Sequence, residues 1–117
     1  MNKTQIGSKA ESQACDFLKY HGIEILEQNF KALPYGEIDI IALDQNVLIF
    51  VEVKFRKSNV FGFAQEMVTL AKQSKIINTA NIFLQQNDLY QDIECRFDVV
   101  AINSNDINWV KNAFQVN

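Results

Sequence analysis

The sequence is poor in the residues that build zinc sites, disulfide scaffolds and flexible linkers. Its 117 residues include two cysteines, one histidine, one proline and four glycines. Cys15 and Cys95 are far apart and form no Cys-x-x-Cys motif, whereas structural zinc sites draw their ligands mainly from Cys and His. The composition therefore argues against a zinc module and against a disulfide-rich secreted scaffold, and it predicts two buried reduced thiols.

Long apolar runs are also missing. A membrane-spanning helix needs about 20 consecutive apolar residues, and the amino-terminal residues lack the apolar stretch of a signal peptide. We therefore expect a cytoplasmic protein with no membrane association. Hydrophobic residues make up 48% and charged residues 21% of the chain, which is typical of a soluble globular protein. The length predicts one domain over residues 1–117.

An excess of positive charge is absent as well. Eleven Lys and Arg residues stand against fourteen Asp and Glu, for a net charge of −3. Strong non-specific nucleic-acid binders are usually basic, so the whole-chain charge argues against one. The basic residues are nevertheless unevenly distributed, with Lys54, Arg56 and Lys57 close together and Lys72 in the next predicted helix. Any nucleic-acid binding is expected to be weak, salt-sensitive and dependent on this local charge.

The best-defined part of the sequence is residues 36–56, where two strongly apolar segments flank a polar turn. Both faces of residues 47–51 are apolar, which is typical of a central strand covered on both sides. A two-residue loop at Gln45 and Asn46 gives only apolar pairs from Ile40–Val51 to Leu43–Leu48. This register is favoured because a one-residue slip would turn the faces of one strand over.

The same register places four charged residues on one face of the hairpin, since it sets Asp39 opposite Glu52 and Glu37 opposite Lys54. Charges in an apolar segment cost several kcal/mol each when they leave water. Two carboxylates about 5 Å apart repel by about 3 kcal/mol at an effective dielectric near 20. The Asp39–Glu52 pair therefore needs a proton, a cationic side chain or a metal ion between its members.

Two interpretations of this patch remain open from the residues alone. In the first, a hard divalent ion such as Mg²⁺ binds the carboxylates, and Lys54 orients a water molecule or offsets charge on a phosphorane. That is the chemistry of phosphodiester hydrolysis. In the second, the patch is a salt-bridged hairpin in which Lys54 pairs with Glu37 and Arg56 pairs with Asp39.

The motif residues resemble the YraN family of small bacterial proteins. Gly-Glu-Ile-Asp at residues 36–39 is followed by Phe-Val-Glu-Val-Lys-Phe-Arg at residues 50–56, and the resemblance covers nearly the whole chain. That family is similar to the PD-(D/E)xK restriction-endonuclease-like superfamily and close in layout to archaeal Holliday-junction resolvases. The resemblance implies an α/β fold with an αβββαβ core, in which helices flank a mixed sheet.

The resemblance also implies roles for individual residues. Asp39, Glu52 and the Val53 carbonyl would bind Mg²⁺ or Mn²⁺, Lys54 would be the catalytic lysine, and Glu11 would be an additional helical acid. DNA, including branched DNA, would be the substrate. Resolvases dimerise to cut two strands symmetrically, so a homodimer is implied as well. From the hydrophobic pattern alone, Glu11 is instead a solvated residue at the edge of the buried face of the helix.

Four further residues are candidates for nucleic-acid contacts. Arg56 and Lys57 lie in the loop after the second hairpin strand, and Lys72 and Gln73 lie in the following helix. The alternative is that these are solvated loop charges and a polar residue at a helix edge.

The rival to the nuclease hypothesis is a catalytically silent module that keeps the nuclease fold and binds nucleic acid or a protein. The acidic balance of the chain fits this alternative. In that case Trp109, Phe114 and Phe61 would supply an exposed apolar patch.

The remaining elements follow from hydrophobic periodicity. A helix is predicted over residues 4–21, with Thr4 as its N-cap, and a strand over residues 23–32. Residues 63–86 predict a helix that bends or divides near Lys72 and whose apolar face is formed by Leu70, Gln73, Ile77, Ala80 and Leu84. A strand over residues 94–102 is predicted to run parallel to the second hairpin strand. Asp98 is expected to pair with Arg96 or cap a helix, and residues 107–116 are an edge strand or a short helix.

Overall fold

A five-stranded mixed sheet with a helix on each face forms the fold. The computed structural model describes residues 2–56, 68–104 and 106–116; Lys57, Phe61 and residues 63–67 of the predicted second helix lie outside the described residues. The elements are α1 (Lys3–Tyr20), β1 (Glu24–Ala32), β2 (Gly36–Asp44), β3 (Val47–Phe55), α2 (Leu70–Gln86), a 3₁₀ turn (Asp88–Tyr90), β4 (Glu94–Ile102) and β5 (Ile107–Phe114).

The strands lie in the order β1-β2-β3-β4-β5. All neighbours are antiparallel except β3 and β4, which are parallel and form the centre of the sheet. The predicted hairpin register is confirmed from Ile40–Val51 to Leu43–Leu48, and the predicted strand over residues 94–102 coincides with β4. Residues 107–114 form a strand, so the sheet has one strand more than the expected core.

Each helix covers its own apolar cluster, because side chains of β2 and β3 alternate between the two faces of the sheet. On one face, Ala10, Ala14 and Leu18 of α1 pack with apolar residues of β2, β3 and β4. On the other face, Phe83 of α2 lies at the centre of an aromatic group, with its ring centroid 5.3 Å from that of Phe30. Neither helix in the described ranges is long and apolar enough to cross a membrane.

Three predictions about α1 and α2 are wrong in detail. The N-cap of α1 is Asn2 and not Thr4, because Asn2 and Gln5 form a reciprocal capping box. Residues 68 and 69 are not helical, because the Thr69 side chain caps α2 by accepting a hydrogen bond from the Lys72 N–H. The buried face of α2 is also rotated from the predicted one, with Leu70 exposed, and consists of Ile76, Thr79, Ala80 and Phe83.

The predicted apolar patch is not present in the described residues as expected. Phe114 is buried and stacks on Phe97, with ring centroids 5.1 Å apart. Trp109 is only partly exposed and packs edge-on against Phe17 at 6.1 Å. Both thiols are free, and Cys15 is buried as predicted, whereas Cys95 is only partly buried.

Asp98 pairs with Arg96, one of the two roles expected for it. Its fully buried carboxylate accepts hydrogen bonds from Arg96 Nε at 3.0 Å, Trp109 Nε1 at 2.9 Å and the Asn112 N–H at 2.9 Å. Arg96 also contacts Asp44 Oδ2 at 3.2 Å. Asp98 therefore satisfies donors from both β4 and β5, and its function in the fold is to join these strands.

Candidate active site

The candidate site lies where β2 and β3 separate. Their backbone pairing runs from Asp44–Val47 to Ile40–Val51. Beyond that point the Val53 N–H donates to Asp39 Oδ2 at 2.8 Å. The Asp39 carboxylate is thus fixed against the backbone of β3, one residue away from Glu52.

The alternation of side chains in β2 changes phase at this point. Ile38 and Ile41 both pack in the cluster under α2, whereas Ile40 packs in the cluster under α1. In a regular strand, residues 38 and 40 would share a face, so the phase shifts by one residue around Asp39. This shift allows Asp39 to interact with Glu11 of α1 and also with Glu52. Glu52 in turn lies close enough to Lys72 of α2 for the charge of that lysine to lower its pKa.

Glu52 is the most strongly perturbed acid of the site. Its exposed fraction is 7% and that of Asp39 is 8%. The pKa of Glu52 is raised from 4.5 to about 8, and burial is the largest cause. The negative charge of Asp39 and a hydrogen bond with its carboxyl group also raise this pKa, whereas the charges of Lys72 and Lys54 lower it. Lys54 Nζ lies 3.9 Å from Glu52 Oε1. The predicted triad of Asp39, Glu52 and Lys54 is therefore assembled.

Glu11 joins this group from α1. Burial is the largest cause of the raised pKa of Glu11, and the charge of Asp39 raises this pKa further. The Asn29 side chain opposes that rise through a hydrogen bond to Glu11. Glu11 and Glu52 both lie close enough to Asp39 for it to raise their pKa values, so the three carboxyl groups form one cluster.

Asn29 is a site residue that the sequence reasoning did not assign. In the β1–β2 register it lies between the pairs Gln28–Ile40 and Phe30–Ile38, and so opposite Asp39. Its φ of 53° is in the left-handed region, which Asn adopts more readily than most residues. An Asn within a strand is the signal that indicates such a position, but only the β1–β2 pairing shows that it faces the acids.

The ion pairs differ from those of the salt-bridged alternative. Lys54 pairs with Glu52, while Glu37 lies 4.0 Å from Lys31. Glu37 therefore belongs to the edge of the site, where its charge contributes to the raised pKa of Glu11. Arg56 is exposed at the end of β3, and its N–H donates to the Ile102 carbonyl at 2.8 Å.

The predicted nucleic-acid contacts are divided between two places. Lys72, in the first turn of α2, lies close enough to Glu52 to lower its pKa. Gln73 is engaged elsewhere, since its Nε2 donates to the Val68 carbonyl at 2.9 Å. Arg56 follows Lys54 by two residues. The structure thus brings Lys72 to the neighbourhood of the acids, leaves Arg56 exposed just after β3, and directs Gln73 to the start of its own helix.

The donor set fits a hard divalent ion. Asp39 and Glu52 offer carboxylate oxygens, and Val53 offers a backbone carbonyl between Glu52 and Lys54. Mg²⁺ is commonly held by one or two carboxylates, with waters and substrate phosphate completing its shell. Among the described residues no group of three or more His, Cys, Asp and Glu side chains has the arrangement of a metal site. An ion here would therefore rely on this pair, the carbonyl, water and substrate.

The chain is similar to bacterial proteins of one family along almost its full length. Residues 10–102 match the uncharacterised protein family UPF0102. A UPF0102 protein of Francisella tularensis is 60% identical over 116 residues, which covers 99% of both chains. A UPF0102 protein of Vibrio parahaemolyticus is 45% identical over 114 residues, with 96% of this chain and 93% of the relative covered. The chain therefore belongs to the UPF0102 family.

Proposed function

We propose that this protein is a divalent-metal-dependent DNA endonuclease, a phosphodiester hydrolase that acts on structured or branched DNA. The observation that supports it most is the buried Asp39–Glu52 pair with Lys54 Nζ 3.9 Å from Glu52. A buried acid whose pKa is raised to about 8 beside a second acid is costly for a purely structural hairpin. Such perturbed groups are concentrated at functional sites.

The proposal assigns a task to each group. Asp39, Glu52 and the Val53 carbonyl would hold Mg²⁺ or Mn²⁺, which supplies charge stabilisation and an activated water when bound. Lys54 is placed to orient that water or to stabilise the negative charge of the phosphorane. Glu11 assists by holding Asp39 through their hydrogen bond, and Arg56 and Lys72 position phosphates.

The proposal includes the restriction-endonuclease-like fold, a cytoplasmic location and a homodimer. A mixed sheet with a parallel central pair and one helix on each face is compatible with that fold. A dimer would present two such sites for symmetric cleavage of two strands. Sedimentation analysis with and without four-way DNA would test the assembly.

The decisive experiment is calorimetric titration of Mn²⁺ into the wild-type protein and into Asp39→Asn, with and without a short DNA duplex. We expect saturable binding that is lost in the variant, because Asn removes one charged ligand and keeps the shape. Cleavage of linear, flapped and four-way DNA would follow, with Asp92→Asn as an exposed control. If neither protein binds the ion even with DNA present, the hydrolase proposal is wrong.

The second candidate is a catalytically silent module that binds nucleic acid or a protein. The net charge of −3 favours it, because an enzyme with a DNA substrate usually carries more positive charge. Thermal unfolding separates the candidates. Mn²⁺ raises the melting temperature of a protein that binds it in the folded state, whereas a silent ion-pair network melts at the same temperature in Mn²⁺ and in EDTA.

A further inference from the structure

One side of α2 carries a row of apolar residues that the core of the domain covers only in part. Leu70, Ile77 and Leu84 recur at seven-residue spacing, which places them in one line along the helix. Leu70 is 77% exposed, while Ile77 and Leu84 are partly buried at the edge of the core. The fully buried face of α2 consists of other residues, so this row remains available for a further contact.

The surface around this row lacks charge over most of its length. Residues 76–87 contain no Asp, Glu, Lys or Arg, and the exposed side chains next to the row are neutral: Ser74, Asn78, Asn81 and Gln85. The exposed side of α1, by contrast, is charged and carries Lys3, Lys9, Asp16 and Lys19. Depletion of charge distinguishes the core of a protein–protein interface from surface that stays in water. The composition of α2 therefore favours a protein partner.

Two depressions lie along the same side of the helix. The first has a volume of about 490 Å³ and is lined in part by Leu70, Ile77 and the exposed Val116, which follows β5. The second has a volume of about 360 Å³ and is lined in part by Leu84 and Asp92. Side chains of one helix pack into the grooves beside the ridges of another, so the row and its depressions have the relief that a partner helix needs.

The two ends of this face differ in charge. Asp92 borders the depression at the carboxyl-terminal end of α2, where the helix dipole is negative as well. Leu70 lies in the first turn, at the positive end of the dipole. An antiparallel copy of the helix places each negative end beside a positive end, whereas a parallel copy places like ends together. The partner that complements this charge pattern is therefore a second copy of the same face, turned end for end.

The apolar row also matches itself in that arrangement. A two-fold axis at Ile77 pairs residues that are equally far from Ile77 in opposite directions, so Leu70 meets the partner's Leu84 and Ile77 meets its own copy. Ser74 then lies within one position of the partner's Asn81, and both side chains carry donors and acceptors of hydrogen bonds. An isologous interface requires this kind of self-complementarity.

The edges of the sheet suit a second copy less well. β1 exposes Glu24, Glu27 and Lys31 and has a register shift between Ile25 and Glu27. The register also shifts where β5 passes Asp98 of β4. Exposed charges and irregular pairing on edge strands discourage the addition of a further strand. Within the part of the chain that the structure describes, α2 thus offers the better surface for self-association.

We propose that α2 binds the α2 of a second copy of this chain, antiparallel, with Ile77 at the two-fold axis. The inference rests on the proposed function only for the existence of a homodimer, whose contact surface it specifies. Leu70 and Leu84 are fourteen residues apart, about 21 Å along a helix. A contact between single helices of this length buries less than the roughly 800 Å² per partner of a standard interface, so the dimer dissociates in the micromolar range.

The first test is sedimentation velocity of the metal-free protein, without DNA, across the micromolar range. Leu70→Asp should weaken dimerisation by about 100-fold, because each dimer loses two leucine contacts of about tenfold each. This variant should fold normally, since Leu70 is exposed and an acidic residue suits the first turn of a helix, and its melting temperature checks this. Leu33→Asp makes the same change at a leucine that is 84% exposed between β1 and β2 and should leave the dimer unchanged.

Cysteine cross-linking tests the orientation of the two helices. In a Cys15→Ala, Cys95→Ser parent, Ile77→Cys should form a disulfide-linked dimer, because the two copies meet at the axis. Leu70→Cys should not link to itself, since its two copies lie about 21 Å apart in an antiparallel pair, beyond the reach of a disulfide. It should link to Leu84→Cys when the two proteins are mixed.

The outcomes separate this inference from the hydrolase proposal. The inference is overturned by a wild-type protein that stays monomeric at the highest concentration, by a dimer that Leu70→Asp leaves intact, or by a Leu70→Cys protein that links to itself. A monomer that cleaves DNA in Mn²⁺ overturns the α2 contact and leaves the hydrolase proposal standing. A protein that dimerises through α2 but binds no Mn²⁺, even with DNA present, supports the contact and contradicts the hydrolase.

Discussion

At the scale of single residues, Glu52 links stability to the proposed function. Its neighbours make the protonated form favourable in the folded protein, because burial and the charge of Asp39 outweigh the two nearby lysines. A bound divalent ion would reverse this preference, since a cation stabilises the carboxylate. Under the proposed function, the same residue would destabilise the metal-free protein and would serve as a ligand to the bound ion.

The pH dependence of stability follows from this shift. In the unfolded chain Glu52 titrates near its ordinary pKa of 4.5, whereas in the folded protein the pKa is raised to about 8. Between these pH values the folded state holds a proton that the unfolded state has lost. The stability associated with this group is therefore fully present below pH 4.5, and it is lost as the pH rises through about 8. In EDTA at pH 8, the free energy of unfolding of Glu52→Gln should therefore exceed that of wild type by on the order of 4 kcal/mol, with little difference at pH 4.5.

Urea unfolding at the two pH values measures this difference. Glu94→Gln, at an exposed acid of the same sheet, serves as the control and should show no comparable pH-dependent gain. A Glu52→Gln protein that is no more stable than wild type at pH 8 would mean that the folded protein accommodates the charged carboxylate without cost.

Asp98 is a buried acid with a structural task. It is fully buried and accepts hydrogen bonds from Arg96, Trp109 and Asn112. Asp98→Ala should lower the free energy of unfolding by about 3–5 kcal/mol, because the buried donors lose their partner. Denaturant titration measures the loss, and Asp92→Ala, at an exposed position, should change stability by less than about 0.5 kcal/mol. A mild effect of Asp98→Ala would contradict the assignment of this residue as the link between β4 and β5.

At the scale of elements, the position of Asp39 depends on how β2 begins. Gly36 starts this strand with a φ of 154°, and a Cβ added there would lie 3.4 Å from Lys75 Cβ and from Thr79 Oγ1 of α2. Such a Cβ would make van der Waals contact with α2, so the main reason for glycine here is the positive φ. Three residues later the chain reaches Asp39.

Two glycine substitutions should have opposite effects for this reason. Gly36→Ala places a side chain in a strained backbone region and against α2, and it should cost about 1–3 kcal/mol. Gly7→Ala lies within α1, where an added Cβ meets nothing within 4 Å, and it should stabilise the protein by about 0.5–1 kcal/mol. Thermal melting of the two variants beside wild type gives the comparison. A neutral Gly36→Ala would show that β2 can shift away from α2 without cost.

At the scale of the whole molecule, charge distribution matters more than net charge. Three acids, Glu11, Asp39 and Glu52, are collected at one point. Lys54 and Lys72 lie near it, and Arg56 follows Lys54 by two residues in the chain. A net charge of −3 hides this arrangement. DNA binding should therefore be weak in EDTA and stronger with a divalent ion, which neutralises the acids at the place where a phosphate would lie.

The salt dependence of binding tests the role of Arg56. If its guanidinium meets one phosphate, Arg56→Gln should reduce the slope of log affinity against log salt by about 0.7–0.9, depending on whether the contacted DNA is single- or double-stranded. Affinity should fall similarly for different sequences, because phosphate contacts carry no sequence information. Lys19→Gln, at an exposed lysine in the last turn of α1, is a matched control. An unchanged slope in Arg56→Gln would remove this residue from the interface.

The sequence by itself determined the central hairpin, β4 and the proximity of Asp39, Glu52 and Lys54. Period-two apolar patterns fix strands and registers locally, so the pairing from Ile40–Val51 onward and the neighbourhood of Asp39, Glu52 and Lys54 followed from residue order. The Asp98–Arg96 pair followed for the same reason, because residues two apart in a strand share a face.

Only the tertiary structure decided the features that depend on how separate elements meet. The rotation of α2, which buries Ile76 and exposes Leu70, depends on which sheet face the helix covers, and helical periodicity does not determine that. The contacts of Glu11 with Asn29 and Asp39 require the docking of α1 beside β1 and β2. A groove of about 260 Å³ lies between α1 and Phe55 at the end of β3, and no local pattern in either segment encodes the space between them.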